Sequence, residues 1–417
     1  MIRGSRVWCI AIVAGALQLL CAPMARAQAI SQRGFVDGRV FLFPQAAPND
    51  PTRAVGDALF REEVFAKPAT WIQFAAGVDL RANSHDQVED EWRLDISDRG
   101  TLRPRAAIRR LTTTITAPKF TLTMGKQFIR WGRADILNPT DRFAPRDFLN
   151  VIDSDFLPVL GVRPSFQFGN ETFEVVWVPR LTPSRLPLLN QRWTVLAPAL
   201  QGVTVEETGA ILPKRSQQGA RWNHTGGRFE MSLSYFDGFN HLPNIEVHPR
   251  PLGNAIELTR VYPDIRTYGG DLAIPTRWLT LKSEATYFTS PSSTSDEYVL
   301  YVVEVERQVG EWLLDGGYAG EVVTKFTGAF PFSPERGMAR SIIGRVSYTV
   351  DPRRTVAVEG AVRQNGKGFY VKGEFSDALA QHVRLTLTGV GIAGDNDDFL
   401  GQFSLNSHVS AGLRVSF

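Results

Sequence analysis

The chain has 417 residues, 46 Lys+Arg against 43 Asp+Glu, 43% hydrophobic residues and two cysteines. Its near-neutral balance gives no support for a nucleic-acid partner, and two cysteines cannot build a disulfide framework. No Pro/Ser/Gly-rich linker, charge block or low-complexity tract divides it.

The first stretch, "MIRGSRVWCIAIVAGALQLLCAPMARAQA", places Arg3 and Arg6 before an apolar run from Val7 to Leu20 and ends on Ala25-Arg26-Ala27. That is a charged n-region, an h-region and a small-x-small cleavage site, so residues 1–27 are expected to be an export signal. The apolar run falls short of the ~20 residues of a spanning helix. Cys9 and Cys21 would leave with it, together with three arginines, so 43 basic residues would face 43 acidic ones. Thiolate chemistry is then excluded.

Residues 28–69 follow. "GFVDGRVFLFP" (34–44) reads as a strand of its own. Counted as a spanning strand, it would invert the parity of every later connection. We therefore expect 28–69 to be a periplasmic or lumen-folded segment ahead of a barrel covering 70–417.

From Thr70 onward, period-2 segments recur. "TWIQFAAGVDL" puts Ile72, Phe74, Ala76, Val78 and Leu80 on one face. "GRFEMSLSYF" separates Phe229, Met231, Leu233 and Tyr235 from Arg228, Glu230, Ser232 and Ser234. "YVLYVVEVE", "EWLLDGGYAGE", "MARSIIGRVSYTV", "GFYVKGEFS" and "HVRLTLTGV" repeat the pattern. Tight breaks such as Gly169-Asn170 and Asp351-Pro352-Arg353 alternate with longer connections such as 82–102, 132–162, 180–215 and 238–262. The predicted fold is all-β, a transmembrane antiparallel up-and-down barrel of about 16 strands (range about 14–18). A soluble sandwich or propeller also alternates, but gives no reason for short and long connections to take turns.

The last strand, "GQFSLNSHVSAGLRVSF", sets Phe403, Leu405, Val409, Ala411, Leu413, Val415 and Phe417 against Ser404, Asn406, His408, Ser410, Arg414 and Ser416. The apolar set is expected to face lipid, with Phe417 in an interfacial aromatic girdle. This ending resembles the terminal strand of Gram-negative outer-membrane proteins. That resemblance implies that the barrel-assembly machinery reads Phe417 and its strand.

A barrel of this size leaves an aqueous lumen. The expected inward positions carry both signs of charge: Lys282, Glu284, Glu304, Glu306, Asp315, Glu321, Arg345, Glu359, Arg363, Lys372, Glu374, Arg384 and Arg414. Such groups are costly in lipid and natural on a wet wall. They would tune solute selectivity, or form a solvated wall of paired charges with no ligand.

The densest cluster is "GKQFIRWGRADILNPTDRFAPRDFLNVIDSDF" (125–156). It carries Arg130, Arg133, Asp135, Asp141, Arg142, Arg146 and Asp147, with apolar Ile136-Leu137 and Phe148-Leu149. Apolar pieces in a long loop argue that it is packed. Loop 132–162 is expected either to fold into the lumen as a constriction, or to cap the rim against loop 180–215. This stretch and "LSYFDGFNHLP" (233–243) resemble segments of poorly characterised Gram-negative outer-membrane porin-like proteins. The resemblance implies location and architecture, and no cargo. General trimeric porins lack these motifs, so no oligomeric state is carried over.

No catalytic constellation emerges. Ser407 and His408 are adjacent on one strand and point to opposite faces. The six histidines make no ligand pair with another His or Cys, so no metal and no cofactor is expected. The expected partners are outer-membrane lipid, the assembly machinery and small solutes. The functional reading is an outer-membrane channel for passive diffusion of small hydrophilic solutes. The alternatives are a substrate-specific transporter or exporter, and a closed structural or adhesive barrel.

Overall fold

The computed structural model describes residues 30–194, 203–250, 255–328 and 333–417. The expected signal peptide lies outside them. No described helix is long and apolar enough to cross a membrane. Eighteen antiparallel strands form one closed barrel. They are β1 Ile30–Leu42, β2 Ala54–Ala69, β3 Ile72–Asn83, β4 Ala106–Ala117, β5 Phe120–Gln127, β6 Val159–Phe168, β7 Glu171–Val178, β8 Gln217–Gly226 and β9 Phe229–Phe239. The circuit continues with β10 Asp264–Pro275, β11 Thr280–Thr289, β12 Glu297–Val309, β13 Trp312–Lys325, β14 Ser341–Thr349, β15 Arg354–Arg363, β16 Gly368–Ala380, β17 Val383–Gly394 and β18 His408–Ser416. Each strand pairs with its sequence neighbour. β1 closes the ring on β18 in a register running from Phe35–Ser416 to Leu42–Val409.

The connections fall into two sets. One end carries short turns, at 70–71, 118–119, 169–170, 227–228 and 310–311 among others. The other carries loops at 43–53, 84–105, 128–158, 179–216, 240–263, 326–340 and 395–407, with shorter ones at 290–296 and 364–367. Both ends of the barrel chain, at Ile30 and Phe417, lie at the turn end. Above the loop end, Thr204–Ile211, Asn244–Pro249 and Ala255–Val261 form a small three-stranded sheet.

The outer face is apolar. Exposed Val40, Val303, Val358, Leu387 and Leu413 form its middle, and Trp71, Phe168, Phe229, Trp278, Trp312 and Phe417 outline the turn end. Tyr235 and Tyr268, 5.4 Å apart, mark the loop end. An apolar belt between aromatic rims is the exterior that a bilayer requires.

Two sequence expectations need correction. The expected 28–69 segment is not separate from the barrel: its residues 30–69 supply β1 and β2, joined by loop 43–53. Two strands rather than one leave the parity of later loops intact and raise the count to eighteen. The pattern was obscured by Arg61-Glu62-Glu63, which places charge on both faces of β2. Arg61 and Glu63 face inward. Glu62 faces outward, where it is buried against Gly34 and the Phe417 ring; a Cβ on Gly34 would lie 2.2 Å from its carboxyl. The terminal strand is also shorter than expected. Gly401–Asn406 is a 3₁₀ helix, so Phe403 is buried among loop residues rather than facing lipid.

The inside–outside register has a direct test. Leu387→Arg, mid-strand on the outer face, should cost about 2–4 kcal/mol of stability in lipid vesicles, while Thr386→Arg on the inner face should cost under about 1 kcal/mol. Denaturant unfolding of the vesicle-inserted barrel measures both, and equal costs would overturn the assigned register.

Candidate functional site: a lumen crossed by two loops

The lumen is organised by loop 128–158. Gly125, at φ 113°, departs from regular strand geometry just before the loop; a Cβ there would lie 2.1 Å from the Leu111 carbonyl oxygen. After it, Lys126 is buried in an ion pair with Asp98 at 2.6 Å, and Gln127 donates to the Gly161 carbonyl at 3.1 Å. The loop then closes on itself. The Asp141 carboxylate accepts from the backbone N–H groups of Trp131 (2.5 Å) and Gly132 (2.6 Å) and from Arg130 Nε (3.3 Å).

Two wall carboxylates fasten this unit. Glu284 on β11 accepts from the N–H groups of Arg133 (2.9 Å), Ala134 (3.1 Å) and Thr140 (2.8 Å), and from the Thr140 hydroxyl (2.8 Å). Glu304 on β12 accepts from the N–H groups of Asp135 (2.8 Å) and Ile136 (3.3 Å). Both glutamates are only 1% exposed. Arg133 Nε reaches Asp271 at 2.7 Å, and its guanidinium also pairs with Glu230. Lys282 pairs with Asp135 and with Glu306 at 2.7 Å. Carboxylate oxygens of Asp135, Glu304 and Asp315 lie within 4.8 Å of one another, and Lys282 neighbours the first two. Arg142 pairs with Glu335 of loop 326–340 at 2.9 Å and lies over Phe288. Residues 130–142 are thus laid against the β7–β13 wall, and Ile136 and Leu137 fill its apolar cluster.

The loop then leaves that wall and crosses the barrel. Asp147 is buried between Arg103 (2.8 Å) and Arg185 (3.3 Å). Asp153 meets Lys372 of β16 at 2.7 Å, and Val151 and Ile152 pack with Val390 and Ile392 of β17.

Above it runs a second crossing segment, 179–194, the first described part of the next long loop. Its Ser184 N–H donates to the His241 carbonyl at 2.9 Å, and Arg185 bridges Asp98 (2.9 Å) and Asp147. Trp193 lies on Phe403, and Arg192 joins loop 43–53. The strap therefore spans from β7 to the β18–β1 side of the mouth. Loop 326–340 closes in from a third side, where Arg336 pairs with Asp296 at 2.9 Å and Arg363 with Asp398 at 3.1 Å. Burial, with Arg142 and Arg146 nearby, pushes the His241 imidazole down to about 3, so it is neutral.

The opposite wall is arginine-rich. On β2–β4, Arg61 (2.7 Å), Arg81 (3.4 Å) and Arg109 (3.7 Å) all share Asp79. Arg109 and Arg110 flank Phe128, and Arg130 and Arg146 lie at 4.2 and 4.0 Å over Phe156. Between this wall and the loop is a polar cavity of about 30 Å³, lined by Asp79, Arg81, Arg109, Asp147, Asp155 and Phe156 among others.

The remaining inward residues named from sequence are spread round the wall. Arg345 pairs with Glu359 (3.0 Å), Arg414 with Asp37 (2.8 Å), and Arg384 bonds Ser376 (2.9 Å). Glu374 lies on the same inner face of β16 as Lys372, and Glu321 holds Arg336. Phe417 and Gly34 exchange backbone hydrogen bonds of 3.0 Å. Sequence reasoning missed Arg61, Arg81, Arg109, Asp79, Arg185 and Arg192. Asp79 and Arg81 were readable from the alternation of "TWIQFAAGVDL", and Arg61 once "ALFREEVFA" was taken as a strand; Arg109 sits at the register shift opposite Gly77 and Val78, which alternation does not mark. Arg185 and Arg192 are in loops, where no periodicity exists to mark them.

No protein-family model matches the chain, and no curated protein matches its sequence. Solved structures do resemble it. A BenF-like porin from Pseudomonas fluorescens Pf-5 superposes over 93% of this chain and 97% of its own, with TM-score 0.55 and 11% identity. OpdQ of Pseudomonas aeruginosa does so over 93% and 96%, with TM-score 0.51 and 13% identity. OccD3 (OpdP) of the same organism does so over 93% and 91%, with TM-score 0.52 and 9% identity. At such identities the likeness is one of fold: the chain folds as an outer-membrane porin barrel.

Asp147 gives the crossing loop a pH signature. Burial alone would raise its carboxyl, but Arg103 and Arg185 outweigh that and hold it well below the usual carboxylate range. A depressed carboxyl contributes stability above its unfolded value, and that contribution is lost as pH falls toward the folded one. Asp147→Asn, which leaves buried Arg185 with Asp98 alone and Arg103 with only Asp57 at 3.5 Å, should cost about 3 kcal/mol. The loss, read by hydrogen exchange of loop 128–158, should be full at neutral pH and shrink in strong acid.

Proposed function

We propose that this protein is a channel of the Gram-negative outer membrane for passive diffusion of small hydrophilic solutes, with loop 128–158 as its constriction. The loop ends would face the cell exterior and the turn end the periplasm. Residues 1–27 would direct export, and the terminal strand ending on Phe417 would be read by the barrel-assembly machinery. The reading rests on one observation: a loop of the porin-type barrel is bound across the lumen, by wall carboxylates on one side and by wall Lys372 on the other, instead of lying over the rim.

The charge of the passage follows from this arrangement. Glu284, Glu304 and Asp271 are consumed in holding the loop, so a solute meets few of the acids of β10–β12. It meets the opposite wall, where three guanidiniums share Asp79. That imbalance favours small anions, because a wall of one sign concentrates counter-ions. A second reading, a substrate-specific channel opened by movement of the 179–194 strap, is supported by the two stacked crossings and the small cavity between loop and wall.

Refolded residues 28–417 in a planar bilayer under a salt gradient test both. Steady conductance steps with an anion-selective reversal potential are expected, and Arg81→Glu with Arg109→Glu should move that potential toward cations. A folded, inserted barrel with no conductance would end the passive reading, and a potential unmoved by the double reversal would end the arginine-wall assignment.

A further inference from the structure

The far anchor of the 179–194 strap combines tight burial with incomplete bonding. Arg192 is 4% exposed. Its backbone N–H donates to Asp50 Oδ2 at 3.1 Å, and its guanidinium bonds the carbonyls of Gln45 (3.4 Å), Leu405 (3.4 Å) and Thr52. The guanidinium lies 3.7 Å over the Phe43 ring. On Phe43 rests the imidazole of His408, at 5.1 Å between ring centres, with Phe41 at 5.7 Å. Asn406 ties the two together: its side chain donates to the Arg192 carbonyl at 3.0 Å, and its own carbonyl is 2.8 Å from His408 Nδ1.

A carbonyl accepts only, so Nδ1 carries the imidazole proton and Nε2 is a bare lone pair. That Nε2 is buried with no hydrogen-bond partner, as is Asn406 Oδ1, and Arg192 Nε has Asp50 only at 3.6 Å, beyond hydrogen-bond reach. Three under-bonded polar atoms thus meet where the strap joins the opposite rim. Buried polar atoms are normally paired, and each unmade bond weighs against the closed joint.

We propose that His408 is the positioning residue that holds the strap shut across the mouth, and that protonation of its Nε2 releases the strap. This rests on the channel reading only for its consequence, since the strap itself is a structural feature. A proton taken from water by Nε2 creates a buried cation. The charged groups around it are Arg192 from the strap, Lys372 from β16, Arg39 beside Phe41 on β1, Asp50 from loop 43–53 and Asp153 from loop 128–158. Asp50 is committed to Arg192 and His85, and Asp153 to Lys372. The imidazolium therefore faces cations with no carboxylate free to meet it. With the strap lifted, the ring is hydrated and titrates near its ordinary value, about 6.5. Acid then favours the open strap by linkage.

The size follows directly. If only the open form takes the proton, the open-to-closed ratio rises about 11-fold at pH 5.5 and about 1.1-fold at pH 7.5. The test is amide hydrogen exchange of peptides covering 184–194 in the detergent-folded chain 28–417. Wild type and His408→Phe, which keeps the aromatic stack and cannot charge, are compared at equal pH. We expect the strap of the wild type to exchange about tenfold faster than that of His408→Phe at pH 5.5, relative to their ratio at pH 7.5. The same ratio at both pH values overturns the proposal. If His408→Phe does not reach the folded barrel, the wild type alone decides. Its strap exchange, corrected for the intrinsic rate, must rise about tenfold from pH 7.5 to 5.5, and a flat profile overturns the proposal. A strap that follows this pattern in a chain that never conducts supports the proposal and removes the channel reading instead.

Discussion

Hydrocarbon offers a backbone N–H no partner, so a strand can lie in it only if both of its edges are paired. The closure of β1 on β18 meets that demand, and the rest of the molecule follows from it. Closure fixes an even number of strands with both ends of the barrel chain on one side. It also makes the side-chain period of two into a division between lipid and water. Phe417 lies at the last rung of the seam. Gly34 leaves the room that its ring and the outward carboxyl of Glu62 occupy, so one glycine decides whether the final rung can be made.

A wet lumen then allows charge, and this chain uses most of it to hold its own loops. Glu284 and Glu304 act as acceptors for backbone N–H groups that a loop in mid-lumen would otherwise leave unpaired. Asp141 does the same from within the loop. Acids suit this task because one carboxylate accepts several bonds at once. The β7–β13 half of the wall is therefore covered by residues 130–142, while the arginines of β2–β4 gather on the opposite side around Asp79. Mixed signs in the sequence become separated functions in space.

Strands with one clean apolar face were legible from alternation alone, as in β9, β12 and β13. The fold class followed from them together with the alternation of short and long connections. β2 was not legible because Arg61-Glu62-Glu63 breaks the face rule, and the reason for that break, cover from Phe417 across the seam, is a contact of residues far apart in the chain. The inward set Lys282 to Arg414 could be named from parity, but not its partners. Nothing local in the sequence says that Glu284 binds the backbone at 133–140 or that Lys372 meets Asp153. The loop cluster 125–156 showed itself by apolar residues that open water would not stabilise. The strap did not, because its chemistry lies in isolated arginines whose acids come from loops 43–53 and 84–105.

The two crossing segments share one node. Asp98, Arg185, Asp147 and Arg103 form a continuous buried ion network, and through it loop 128–158, the strap and loop 84–105 are held as one body. Breaking such a network leaves a desolvated charge, which is costly. At the other end of the strap, Arg192 is bonded mostly to carbonyls and several polar atoms remain unpaired. A segment fixed firmly at one end and weakly at the other can swing only about the firm end. Any opening of the mouth would then lift the strap from the β18–β1 side and leave loop 128–158 and its wall contacts in place, so the two crossing segments are held by different contacts.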